Sequence, residues 1–173
     1  MSMSQRYLGP YELRQRLSST HQYESWKAWD RQQQREVEIT ILHLQEVNAS
    51  GFMSRFFYET KNLTILNHPS IAKIYEVQVF PSTDLAEQTD GFGAGNACIV
   101  REYIDGMSLA DYIDATSRGG DFPALADIYH ILAPICSALD YAHQHGIIHS
   151  RLKPTHILFT RPEGKMQLRE RQN

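Results

Sequence analysis

The sequence predicts an α+β fold in which strands come first and helices later, and three features point to it. Short alternating or β-branched runs fill the first half, from Tyr11 to Leu17, Ser25 to Trp29 and Glu36 to Leu44. Apolar residues at helical spacing dominate only after Gly106, above all from Ala124 to His145. Glycine, proline and asparagine cluster between these stretches and mark turns. Strands gathered at one end of a chain and helices at the other form the pattern of two segregated lobes.

The first three runs predict an antiparallel sheet, with Val37-Glu38-Ile39-Thr40-Ile41 as its most β-prone stretch. A helix follows over 55–66, because Phe56, Leu63 and Leu66 can share one stripe and Asn67-His68-Pro69 stops it. Strands are expected over 71–79 and 97–100, joined by a polar excursion over 81–96. Within it, Gly91-Phe92-Gly93-Ala94-Gly95 lacks the following helix N-terminus that a phosphate loop requires, and so reads as a hairpin excursion. Ser108, with Asp111 three residues on, forms a capping arrangement for a helix over 109–115. The longest helix is expected over 124–145, on a stripe of Leu132, Ile135, Leu139 and Ala142 that Pro134 interrupts. Extended runs over 146–149 and 157–160, a turn at Pro162-Glu163-Gly164 and a short strand over 165–168 complete the chain.

At 173 residues, the chain has room for one domain with a real core and not for two enzyme domains. Its net charge of -3, with basic residues interspersed among acidic ones, argues against binding nucleic acid. No run approaches the roughly 18 apolar residues of a spanning helix, and Met1 to Tyr7 lacks the core of a secretion signal, so the expectation is a cytoplasmic protein with no membrane partner. Cys98 and Cys136 sit among apolar neighbours without metal or disulfide spacing, and read as buried thiols. His21, His43, His68, His130, His143 and His145 match no ligand motif, and no metal site is expected.

Three segments then fall into a recognisable order. Arg55-Phe56-Phe57-Tyr58-Glu59, followed by Leu66-Asn67-His68-Pro69, resembles the αC helix and exit of bacterial-type Ser/Thr protein kinases, and Val100-Arg101-Glu102-Tyr103-Ile104-Asp105-Gly106 resembles their hinge. His149-Ser150-Arg151-Leu152-Lys153-Pro154-Thr155-His156 resembles the catalytic loop, whose family form is H-R-D-L-K-P-x-N. The resemblance implies a protein-kinase-like fold with a complete N-terminal lobe over 1–103, an antiparallel sheet plus αC. It also implies only the first part of the helical C-terminal lobe over 104–173, ending near the Asp-Phe-Gly position.

Phosphoryl transfer needs the triphosphate held, its charge offset by metal and lysine, and the acceptor hydroxyl aimed by a carboxylate. At the glycine-rich loop, the aligned positions are Ser18, Thr20 and Tyr23, and no glycine stands between Leu13 and Asp30. Where the family has V-A-I-K, this chain has Val37-Glu38-Ile39-Thr40, so a hydroxyl replaces the phosphate-binding lysine. Glu59 keeps the αC carboxylate without that lysine, while Glu38 shares one strand face with Thr40, in the roof of the nucleotide cleft that the resemblance implies, where a carboxylate opposes triphosphate binding and, with Arg101, occludes the cleft. Arg101 takes the gatekeeper position; its expected partner is Glu38 or Glu59, the alternative being a guanidinium that reaches solvent. Arg151 replaces the catalytic aspartate and His156 the metal-binding asparagine; Lys153 remains, and Glu170 falls near the Asp-Phe-Gly position.

Two functional expectations follow from the resemblance. The first is a catalytically inactive kinase-like module, a pseudokinase, that binds no cofactor and engages another protein or a second copy through the helix over 124–145. The second is a divergent Ser/Thr kinase that uses ATP and magnesium with groups borrowed from a partner.

Overall fold

Alternation in the first half of the chain resolves into six strands that form one fully antiparallel sheet, β1 (Arg6–Leu8), β2 (Tyr11–Ser19), β3 (Tyr23–Asp30), β4 (Arg35–Leu42), β5 (Ile74–Phe80) and β6 (Asn96–Glu102). Their order across the sheet is β1-β2-β3-β4-β6-β5. The computed structural model describes residues 6–42, 52–80, 96–120, 123–160 and 167–170. They fall into two units, 1–64 with 74–103 and 65–73 with 104–173. A single cut after residue 103 thus misses that 65–73 groups with the second unit.

In the first unit, period-2 patterning sends Ala28, Val37, Ile39, Ile41, Cys98 and Val100 to one face, where they join Leu8, Tyr11 and Leu13 in a core. Strand β1, which sequence patterning does not reveal, enters through Leu8, which is fully buried. The Tyr11 hydroxyl donates to the Glu76 carboxylate from β2 to β5, and burial, followed by that carboxylate, holds the phenol well above its ordinary pKa. The β3–β4 turn closes on Asp30, whose Oδ1 accepts from the Gln32 and Gln33 N–H groups at 3.0 Å each.

Helix α1 (Phe52–Leu63) touches β5. It ends a turn earlier than the stripe of Phe56, Leu63 and Leu66 suggests, with the Thr64 hydroxyl donating to the Lys61 carbonyl at 2.8 Å. Leu66 therefore lies beyond the helix, buried with Ile71, Ala138 and Ala142 in the second unit. The strand expected from Ile71 begins only at Ile74, because His68 winds the chain into a turn: its Nδ1 accepts from the Ser70 N–H and its carbonyl from the Ile71 N–H.

The second unit holds a three-stranded antiparallel sheet of β7 (Gly106–Ser108), β8 (Ile157–Thr160) and β9 (Gln167–Glu170), with helices α2 (Leu109–Gly119) and α3 (Leu125–Gln144). Gly106 is required where β7 meets β8, since a Cβ there would stand 1.9 Å from the Phe159 carbonyl oxygen. Ile135, Ile157 and Phe159 form a core with Leu109, Tyr112, Ile131 and Leu139. The run 146–149 forms no strand: Gly146 takes φ +73° and the Ile147 N–H returns to the Ala142 carbonyl at 2.9 Å, a left-handed end to α3. The turn expected at 162–164 and the excursion over 81–95 lie outside the described residues.

Helix α2 carries the expected capping box. The Asp111 N–H donates to Ser108 Oγ at 3.1 Å, and the Asp111 carboxylate accepts from the Ser108 N–H at 3.1 Å and from its hydroxyl at 2.6 Å. These bonds, that from the Ser108 hydroxyl first, hold the Asp111 carboxyl below its ordinary pKa. Ser108→Ala should cost about 1 kcal/mol in urea denaturation. Because the folded-state value is the lower one, Asp111's stabilisation is present above its unfolded pKa of about 4 and is lost as pH falls through the folded value. Asp111→Asn should flatten that acid limb.

Candidate functional site

The strand face opposite the first unit's core carries the polar residues singled out in the sequence. Antiparallel register sets Glu38 of β4 between Lys27 of β3 and Arg101 of β6, and sets Thr40 between Ser25 and Ile99. Ser25, Glu38, Thr40 and Arg101 are all buried, Glu38 to 1 % exposure. Arg101 Nη2 donates to Glu38 Oε1 at 2.8 Å, and the Ser25 hydroxyl donates to the same oxygen at 2.5 Å. Of the two partners expected for Arg101, the one observed is Glu38, and the guanidinium does not reach solvent. The Glu59 side chain lies outside the described residues.

The chemistry of this face follows from its pairing. A carboxylate and a guanidinium at 2.8 Å are together neutral, so this pair adds neither a bare anion nor an uncommitted cation to the face. Lys27, the nearest lysine in register, turns to Glu36 Oε1 at 2.9 Å and lies 4.2 Å from the centroid of the Tyr103 ring. Ser25 is not among the residues that sequence patterning singles out. The one available signal is its place in the motif G-x-G-x-x-G-x-V, whose final position it occupies when the first glycine is set at Ser18.

The turn between β2 and β3 holds the remaining glycine-loop positions. Ser18 pairs with Ser25, while the Thr20 hydroxyl accepts from the Gln22 and Tyr23 N–H groups at 3.2 and 3.1 Å and donates to the Tyr23 carbonyl at 3.2 Å. This threonine-closed turn spends the amides of Gln22 and Tyr23 on the protein itself. In the second unit, Arg151 and Lys153 are exposed. The segment is held by a 3-10 turn over Pro154–His156, in which the His156 N–H donates to the Lys153 carbonyl at 2.9 Å. The His149 and His156 rings lie 5.8 Å apart. Glu170 pairs with Ile157 at the end of β9, with its side chain outside the described residues. Among the described residues, no cluster of three His, Cys, Asp or Glu side chains could hold a metal ion.

The second unit also carries a 690 Å³ groove along α3, lined in part by His68, Leu132, Cys136, Asp140 and Tyr141. His68 Nε2 stands 3.1 Å from Ser137 Oγ, and since its Nδ1 accepts from Ser70, the neutral ring presents Nε2–H to that hydroxyl. Both cysteines are expected to be buried, and Cys136 is instead exposed, because it lies on the groove side of α3. Burial pushes the Cys98 thiol up to about 12. A maleimide should therefore label one thiol in the native protein and a second only after denaturation, and Cys136→Ser should abolish the native reaction.

Comparison with known proteins places these positions in a family. The protein kinase domain matches residues 23–169. The chain is 33 % identical over 161 residues to the serine/threonine-protein kinase PknB of Mycolicibacterium smegmatis, covering 93 % of this chain and 24 % of the relative. It is 34 % identical over 158 residues to the serine/threonine-protein kinase PrkC of Bacillus subtilis, covering 91 % and 22 %. The crystal structure of the Mycobacterium tuberculosis PknI kinase domain superposes with a TM-score of 0.75 at 19 % identity, over 99 % of this chain and 62 % of that one. The chain thus spans about a quarter of the length of the curated relatives it matches.

Proposed function

This chain belongs to the protein kinase domain family, and we propose that it binds without phosphorylating, a pseudokinase module that works through another protein. The observation that carries this reading is Thr40, buried on β4 where the family's phosphate-binding lysine belongs, beside a Glu38 carboxylate whose Oε1 accepts from Arg101 and Ser25. Among the described residues, a triphosphate brought to this face finds Arg101 paired with Glu38 and Lys27 paired with Glu36. In the second unit, an arginine, Arg151, stands where a carboxylate should orient the acceptor hydroxyl, and arginine does not accept a proton at neutral pH. Groups that act together in phosphoryl transfer fail together, so several losses leave little for any one survivor to do.

A protein partner is supported by α3. Leu125 is 83 % exposed and Tyr129 70 %, and Leu132 is exposed beside the groove. Apolar surface of this kind on a helix is the raw material of a protein interface. Among the described residues, no helix is long and apolar enough to cross a membrane.

Thermal unfolding with and without magnesium and ATP tests the reading. A ligand at one hundred times its dissociation constant stabilises by about 2.7 kcal/mol, and the expected outcome is no shift at millimolar nucleotide. A magnesium-dependent rise in Tm, followed by phosphate transfer to an acceptor, establishes instead the divergent kinase that uses ATP and magnesium.

A further inference from the structure

We propose that α3 is a self-association surface, along whose groove a second copy of this chain lays its own α3 in the antiparallel sense. The inference rests on the reading above that α3 serves a protein partner, and it names that partner. Ala126, His130, Ala133, Ser137, Asp140 and Gln144 follow one another at alternating intervals of four and three residues, the spacing of a seam between paired helices. The helix's buried residues, Ile135, Ala138 and Ala142, lie on a different stripe. All of the seam is exposed except Ala133, which is half-buried, and its last four residues line the 690 Å³ groove. At about 100° per residue, Tyr129, Leu132 and Cys136 rise on one side of the seam and Tyr141 on the other, where the His68 ring lies 5.3 Å from that of Tyr141.

A second copy is singled out by the symmetry of the seam about its own midpoint. Ala133 and Ser137 stand equally far from position 135, and so do His130 and Asp140, and Ala126 and Gln144. A two-fold axis at that point sets small side chains against each other at the crossing, where two backbones can approach closely. It also sets Asp140 against His130 of the partner subunit, and does so twice. An imidazole N–H can donate to a carboxylate whether the ring is neutral or charged. Parallel alignment would instead set two Asp140 carboxylates together, a like-charge contact that disfavours it. Tyr129 and Leu132, 70 % and 49 % exposed, flank the crossing and supply the apolar area. The polar pairs fix orientation and register.

Sedimentation equilibrium of the full chain over the micromolar range, with a pair of charge variants, tests this. The unaltered chain should show a monomer–dimer equilibrium. His130→Asp sets two carboxylates together and Asp140→Lys removes the acceptor, on both sides of the axis, so each should weaken self-association by about tenfold or more. An equimolar mixture of the two variants should recover it, because each then meets its complement. A short bismaleimide should link two unaltered chains through Cys136, since Cys98 is buried, and should fail with Cys136→Ser. A chain that stays monomeric throughout overturns the inference and leaves α3 to a different protein; a dimer indifferent to both charge variants overturns it as well. Should a charge variant not fold by circular dichroism, the cross-link decides, and its absence from the unaltered chain overturns the inference. None of these results touches the non-phosphorylating reading, which fails on magnesium-ATP stabilisation with phosphotransfer.

Discussion

A carboxylate buried in the middle of a β-sheet must be answered by a partner, and in this protein that need organises the face of the first unit. Glu38 accepts from Arg101 and Ser25 through the same oxygen, from strands on either side of its own. Each of the three residues makes sense only with the others: alone, the arginine or the glutamate would carry a desolvation cost of several kcal/mol. The network ties β3, β4 and β6 together by side chains as well as by backbone. It also commits the charges of Glu38 and Arg101 to each other, so neither stands as a lone charge on this face.

Much of this arrangement is legible in the amino-acid sequence. The pairing of Arg101 with a carboxylate follows from a guanidinium placed in an apolar strand, and period-2 geometry sets Glu38 and Thr40 on one face. Ser25 gives no such signal, because a lone serine in a strand is ordinary until register sets it opposite Thr40. Leu66 fits a helical stripe by spacing alone, yet the Lys61–Thr64 turn releases it to another core. The extended reading of 146–149 fails for a similar reason: apolar Ile147 and Ile148 suggest a strand, but Gly146 at positive φ closes the helix before them. Local turn chemistry, which periodicity does not report, decides each of these cases.

The second unit is built differently. Its helices and small sheet are held by ordinary means, a capping box, a glycine at a close strand approach and an aromatic contact between Tyr112 and Phe159 at 5.3 Å. Nothing in that framework needs Arg151 or Lys153, which are exposed. Substitution at such positions costs the fold little and the chemistry much, the opposite balance from Glu38 and Arg101. A family scaffold can therefore tolerate substitution at such exposed positions.

The pivotal claim is that Glu38 and Arg101 act as one unit, and a double-mutant cycle on folding stability measures that directly. With Glu38→Ala, Arg101→Ala and both together, urea denaturation should return a coupling free energy of about 2 kcal/mol or more, each single change costing more than its share of the double. A coupling below about 0.5 kcal/mol, the level of an exposed ion pair, would contradict the account.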